Sequence, residues 1–156
     1  MSMRNQYIII FLMAAVILTA SKQSAFAQIL HPVHWSYAAK KTNKNEVVIF
    51  IKATIDEGWH IYSINQKDGG PVKTSFTFLP SKTYRLLEDV KEPNPISKYE
   101  KTFSMDVNYF EKSVIFQQKV QLTSSDAVVG GTVSFMTCND QKCLPPDEVN
   151  FHISVK

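Results

Sequence analysis

Glu46-Val47-Val48-Ile49-Phe50-Ile51-Lys52-Ala53-Thr54-Ile55 is the stretch that decides the fold class. Val47, Ile49, Ile51, Ala53 and Ile55 fall at every second position, which lines one face of an extended strand and does not fit the 3.6-residue repeat of an amphipathic helix. The other face carries Glu46, Val48, Phe50, Lys52 and Thr54, a mixture that predicts partial cover.

The period of two dominates from Val33 onward, and no window of a dozen residues makes an amphipathic helix. Upstream, a short strand is predicted over Val33 to Lys40, with Asn43-Lys44-Asn45 as the turn that follows. Downstream, Asp56-Glu57-Gly58 breaks the long strand, and Trp59-His60-Ile61-Tyr62 continues it with aromatic character. Trp59 reads as a core aromatic; Tyr62 fits the core or a site. The paired glycines within Asn65 to Pro71 mark a loop, Thr74 to Leu79 alternates with Phe76 and Phe78 inward, and Pro80 ends that strand. Tyr84 to Val90 is predicted as a strand, Glu92-Pro93-Asn94-Pro95 as a turn, and Ile96 to Phe103 is irregular.

Glu111 to Leu122 alternates clearly, with Val114, Phe116, Gln118, Val120 and Leu122 to one side. After Ser124-Ser125-Asp126, the residues Val129, Gly131, Val133 and Phe135 point inward, leaving Met136 and Cys138 on the opposite face. Val149, Phe151, Ile153 and Val155 define the last strand. About eight short strands separated by regular turns predict an all-β fold, an immunoglobulin-like β-sandwich, with an up-and-down barrel as the competing arrangement. Two distant cysteines bridging the sheets around a tryptophan are absent.

The first 27 residues read as an export signal. Arg4 precedes the apolar run Tyr7 to Leu18, and Ala25-Phe26-Ala27 supplies an A-x-A cleavage site. The run is shorter than the roughly 18 to 20 residues of a spanning helix, so no stable membrane anchor is expected after cleavage. The mature domain, residues 28–156, then has 129 residues, one domain by size, and is expected in the periplasm or secreted. Its net charge falls from +3 to +1 as Arg4 and Lys22 leave. That balance argues against nucleic-acid or membrane-surface binding, which needs a concentrated basic face.

Chemistry concentrates in Phe135-Met136-Thr137-Cys138-Asn139-Asp140-Gln141-Lys142-Cys143-Leu144-Pro145-Pro146, which holds both cysteines of the chain. Two thiols this close can form a disulfide, bind a soft metal or exchange electrons with another protein. As a structural staple the pair would do little, because closing a loop of about six residues restricts the unfolded chain by only about 2 kcal/mol. Exchange needs an attacking thiolate and a second thiol to resolve the mixed disulfide, which Cys138 and Cys143 provide. Lys142 would favour a thiolate at Cys143 and Asp140 would oppose it, so the nucleophile stays open. The spacing is not the thioredoxin C-x-x-C, and no βαβ pattern surrounds it.

Read whole, the strand, cysteine, short polar loop, second cysteine, apolar residue and Pro145-Pro146 resemble the periplasmic N-terminal domain of the membrane electron transporter DsbD. The resemblance covers most of the mature chain. It implies an immunoglobulin-like domain that receives electrons on its cysteine pair and passes them to oxidised proteins, in disulfide reduction or cytochrome c maturation. Glu57-Gly58-Trp59-His60-Ile61-Tyr62 is similar to the family's segment beside the active site, with His60 where an aromatic is more typical. Lys98-Tyr99-Glu100-Lys101-Thr102-Phe103 lies where the family has a cap loop, so Tyr99 or Phe103 is implied as a lid aromatic. The family's cysteine loop is often one residue longer, and its cap carries acidic residues that Ser97 and Lys98 do not reproduce. The chain ends ten residues after Pro146, so a separate membrane electron donor is expected, alongside thioredoxin-like or disulfide-carrying protein partners.

The candidate site is therefore Cys138 and Cys143, supported by His60, Tyr62, Tyr99, Phe103 and Pro145, with no cofactor. A histidine near the thiols would favour a thiolate, which gives His60 its place. Two further readings use the same cysteines: a binding or adhesion module with a structural disulfide, and a Cu(I) or Zn(II) site completed by Met136 and a histidine. His31, His34, His60 and His152 show no ligand spacing, which weighs against the metal. The sequence places the cysteine pair at an exposed end of the sandwich.

Overall fold

The computed structural model describes residues 30–155, all β-strand, turn and loop; the predicted signal segment lies outside them. β1 (Val33–Lys41), β2 (Glu46–Ile55), β8 (Ser113–Leu122) and β5 (Tyr84–Leu86) form one sheet in the order β1-β2-β8-β5. β4 (Ser75–Phe78), β9 (Ala127–Phe135) and β11 (Asp147–Val155) form a second, ordered β11-β9-β4. β10 (Thr137–Cys138), β3 (His60–Tyr62), β7 (Met105–Glu111) and β6 (Ile96–Glu100) form a third, ordered β10-β3-β7-β6. All pairings are antiparallel, and the immunoglobulin-like sandwich expected from the alternation is what the chain adopts.

The alternating residues of β2 do what their spacing dictates. Val47, Ile49, Ile51, Ala53 and Ile55 are all buried, and they meet Val114, Phe116, Val120 and Leu122 of β8 and Val129, Val133, Phe135, Phe151 and Ile153 of β9 and β11 in one core. Trp35 closes its edge, its ring centroid 5.2 Å from that of Phe135. Gln118 points into this core as its position required. Its Nε2 donates to the carbonyls of Glu88 (2.6 Å) and Lys119 (2.8 Å), which meets the need of a buried amide.

Turn chemistry follows the sequence closely. Asn43 Oδ1 accepts from the amides of Asn45 and Glu46 at 3.0 and 2.8 Å, closing the β1–β2 hairpin. Gly58 takes a φ of 79°, in the left-handed region that a side chain disfavours, so that Trp59 N–H can reach the Asp56 carbonyl at 3.1 Å.

Three expectations about strands are corrected. The segment Tyr84 to Val90 pairs only as far as Leu86, with one further bridge between Lys91 and Gln117. Glu111 does not begin β8 but ends β7. The two strands part at Lys112, whose φ of 62° turns the chain out of one sheet into another. Finally, Ile96 to Glu100, within the segment expected to be irregular, is a strand that pairs with β7 as the hairpin β6–β7.

Candidate functional site

Sheet β10-β3-β7-β6 has two faces with different fates. Thr137, Ile61 and Phe110 stand in one cross-strand row, all buried, with Ile61 and Phe110 in the main core. The next row, Cys138, His60 and Glu111, alternates to the outer face, as the period of two requires. There Tyr62, Val107 and Cys138 form a second, smaller apolar cluster against which Phe103, Met105, Tyr109 and Met136 pack. Met136 and Cys138 thus leave the main core together, as their positions after Phe135 predicted.

Cys138 and Cys143 are joined by a disulfide, their Cα atoms 4.0 Å apart. The two face each other across a narrow ladder: Asn139 N–H donates to the Lys142 carbonyl and Leu144 N–H to the Thr137 carbonyl, both at 2.9 Å. These bonds flank the cysteines, which makes them a non-hydrogen-bonded antiparallel pair, the arrangement that brings opposed side chains closest. Asn139 also organises the turn, its Oδ1 accepting from Gln141 N–H (2.9 Å) and Lys142 N–H (2.8 Å).

The sulfurs are not equivalent. Cys143 is exposed, whereas Cys138 is only 2 % exposed, so the expectation of an exposed pair holds for one cysteine and is corrected for the other. The reason is the small cluster: Tyr62 and Val107 cover Cys138 from the neighbouring strands, while Cys143 stands on the returning arm of the loop.

A cleft of about 420 Å³ opens beside the disulfide, lined by both cysteines and the loop between them, by His60 and Tyr62, and by residues of the β6–β7 hairpin. His60 Nε2 and the Tyr62 hydroxyl lie 3.2 Å apart, and the His60 ring is 5.0 Å from that of Tyr109, centroid to centroid. Burial lowers the His60 pKa below its ordinary 6.5, while Glu111, Asp140 and Glu100 pull the other way. Burial, helped by Glu100, pushes the Tyr62 phenol up to about 12. Lys98 Nζ is 3.1 Å from Glu100 Oε1, and that bond raises the lysine pKa.

Of the residues singled out from sequence, Cys138, Cys143, His60, Tyr62 and Phe103 converge on the cleft. Phe103 sits in the β6–β7 turn, held by its N–H to the Glu100 carbonyl (3.2 Å), and packs against the cluster that contains Cys138. Tyr99 is 58 % exposed and Pro145 is exposed, and neither lines the cleft. The structure adds Val107, Tyr109 and Glu111 from β7, which the sequence reading passed over. Their signal was present: Met105, Val107 and Tyr109 alternate with Asp106, Asn108 and Phe110. Among the described residues, no group of three or more His, Cys, Asp or Glu side chains is placed to hold a metal ion.

Comparison with known proteins agrees with this geometry. Residues 27–154 match the family described as "Thiol:disulfide interchange protein DsbD, N-terminal". Similar solved structures include the N-terminal domain of DsbD from Neisseria meningitidis in its reduced form, with a TM-score of 0.57 and 14% identity, over 81% of this chain and 90% of that one. The N-terminal periplasmic domain of ScsB from Proteus mirabilis has a TM-score of 0.56 and 17% identity over 81% of this chain, which spans about half (49%) of that one. The DsbD N-terminal domain in its complex with the PilB N-terminal domain, also from Neisseria meningitidis, has a TM-score of 0.53 and 11% identity, over 80% of this chain and 87% of that one. No curated protein matches the sequence. At these identities the structures speak for the fold alone, but the sequence match spans nearly the whole described chain, and the chain belongs to the family of DsbD N-terminal domains.

Proposed function

We propose that this domain is a carrier in thiol-disulfide exchange, passing two electrons between protein partners through Cys138 and Cys143. The single observation that carries the reading is the asymmetry of the disulfide: an exposed Cys143 bonded to a buried Cys138 beside a cleft that both residues line. In the reduced domain the Cys143 thiolate attacks a partner's disulfide, forming a mixed disulfide and releasing one partner sulfur. The Cys138 thiolate then attacks Cys143, re-forming the internal disulfide and releasing the second partner sulfur. Two bonds form and two break, and the partner leaves as a dithiol.

Phe103, at the turn of the β6–β7 hairpin, acts in this reading as the cap over the buried sulfur. Family membership supports periplasmic work in disulfide reduction or cytochrome c maturation, with thioredoxin-like or disulfide-carrying acceptors and a membrane electron donor. The Neisseria complex of a DsbD N-terminal domain with the PilB N-terminal domain supports a protein partner.

The test is trapping. A Cys138→Ser domain mixed with an oxidised thioredoxin-like protein is expected to hold a mixed disulfide on Cys143, while Cys143→Ser holds little. Equilibration of the wild-type domain in a dithiothreitol series is expected to open the disulfide above about -300 mV, since a structural disulfide typically resists reduction to lower potentials. A disulfide that stays closed below that value, with no trapped adduct, would leave a structural bridge as the better reading.

A further inference from the structure

Cys138, His60 and Glu111 stand in a single row across β10, β3 and β7, Cys138 opposite His60 and His60 opposite Glu111. Directly opposed residues on antiparallel strands present their side chains to the same face with Cβ atoms about 4.5 to 5.5 Å apart, and all three line the cleft. Thiol, imidazole and carboxylate therefore follow one another in the order of nucleophile, base and orienting group that activates cysteines elsewhere.

We propose that His60 is the proton partner of Cys138 during exchange, with Glu111 behind it favouring the imidazolium. The inference rests on exchange at the Cys138–Cys143 pair and names the residue that sets the ionisation of its buried half.

The need for such a residue follows from where the charge goes. When the disulfide is opened at Cys143, the electron pair of the broken bond falls on the Sγ of Cys138, a residue 2 % exposed. A buried thiolate is disfavoured unless a positive charge lies beside it. The groups facing His60 are Tyr62 on its own strand, Tyr109 and Glu111 on β7, Lys98 and Glu100 on β6, and Asp140 and Lys142 in the cysteine loop. Three are carboxylates, which raises the cost of a further negative charge at Cys138. Lys98 is engaged by Glu100, and Lys142 is an exposed neighbour of Cys143 in the chain. Of the groups that can carry a positive charge, His60 is the one in register with Cys138.

Over the closed disulfide, burial lowers the ring pKa below its ordinary value and so favours the neutral form, which can take a proton. In the resolving step the Cys138 S–H bond gives its proton to the imidazole, and the thiolate attacks Cys143 of the mixed disulfide. The partner sulfur leaves with the electron pair, and the proton passes from His60 to that sulfur or to water. Opening by a donor thiolate runs the same steps backwards, with His60 returning the proton to Cys138.

The test reads the ionisation of Cys138 directly. In a reduced Cys143→Ser domain, thiolate absorbance is followed against pH with His60 intact, with His60→Phe and with His60→Gln, the second variant guarding against a packing defect in the first. Replacing His60 is expected to raise the Cys138 midpoint by about one unit, or about tenfold less thiolate at pH 7, the scale of one neighbouring opposite charge. Glu111→Gln is expected to lower the midpoint of the His60 ring, since it removes a carboxylate that favours the imidazolium. In the two-cysteine domain, the His60 ring followed by NMR is expected to titrate at higher pH when reduced than when oxidised. Superimposable Cys138 titrations with and without His60, or a ring midpoint indifferent to redox state, would overturn the proposal. These readouts need no partner, so coupled ionisation without mixed-disulfide trapping would fail the exchange reading alone, and trapping without coupling would fail this one alone.

Discussion

Asn139 holds Lys142 from both directions: its N–H donates to the Lys142 carbonyl at 2.9 Å, and its Oδ1 accepts from the Lys142 N–H at 2.8 Å. The loop between the cysteines is thereby set by bonds that do not involve sulfur. Asn139→Ala removes two side-chain bonds, each worth about 0.5 to 1.5 kcal/mol. The expected outcome is a loss of about 1 to 3 kcal/mol in urea unfolding of the oxidised domain. Hydrogen exchange at Gln141 and Lys142 should accelerate in the reduced domain, whereas Asn139→Asp, which keeps the acceptor, should change both little.

Phe103 packs against the cluster containing Cys138, while Tyr99 on the same hairpin is exposed. Phe103→Ala is expected to speed reduction of the disulfide by dithiothreitol several-fold, and Tyr99→Ala to leave the rate near wild type. Stopped-flow reduction checks both. A Phe103→Ala domain reduced no faster than wild type would remove the cap role, and an accelerated Tyr99→Ala would transfer it to that residue.

Gly131 lies on β9 where a Cβ would stand 2.5 Å from the Thr77 carbonyl oxygen and 2.6 Å from Phe151 Cζ. Backbone on one side and a buried ring on the other leave no cheap adjustment. Gly131→Ala should destabilise the fold by about 1 to 3 kcal/mol, as overpacking does. Denaturant unfolding measures this, and a neutral result would mean that β4 and β9 yield more easily than their pairing implies.

Tyr62 is 3 % exposed and its phenol is pushed up to about 12. The unfolded chain loses this proton near pH 10, the folded domain only near 12, so above pH 10 the native state holds more protons and stability falls as pH rises. The share of Tyr62 is fully present below pH 10 and lost across that window, on the order of 2 kcal/mol for a shift of this size. Tyr62→Phe should flatten the alkaline limb of a stability-versus-pH curve. An unchanged slope between pH 10 and 12 would place the loss elsewhere.

The main core was legible in the sequence because it rests on strict alternation. Val47 through Ile55 and Val114 through Leu122 each repeat the same choice at every second position, and Gln118 did not disturb the pattern because two carbonyls meet its amide. The break at Lys112 was not legible, since nothing but context selects a left-handed lysine, and an unbroken strand from Glu111 was the simpler reading. The same misreading hid Glu111 from the site. β7 was missed because Phe110 faces the core between polar positions while Tyr109 faces the cleft, so its two apolar faces serve two different clusters. The difference between the two sulfurs was out of reach for a related reason: it depends on Tyr62 and Val107, which are close to Cys138 only across strands.

The cysteine loop is an excursion within a hairpin, β9 pairing with β11 from Phe135 and Asp147 down to Ala127 and Val155. The disulfide therefore closes the innermost ring of a structure that is already closed outside it. β9 and β11 are paired through bonds that do not involve sulfur, so opening the disulfide is expected to release neither strand. In the proposed exchange cycle only a covalent link and a few protons change on an assembled scaffold, so partner access and proton movement, not rebuilding of the fold, are expected to set its pace.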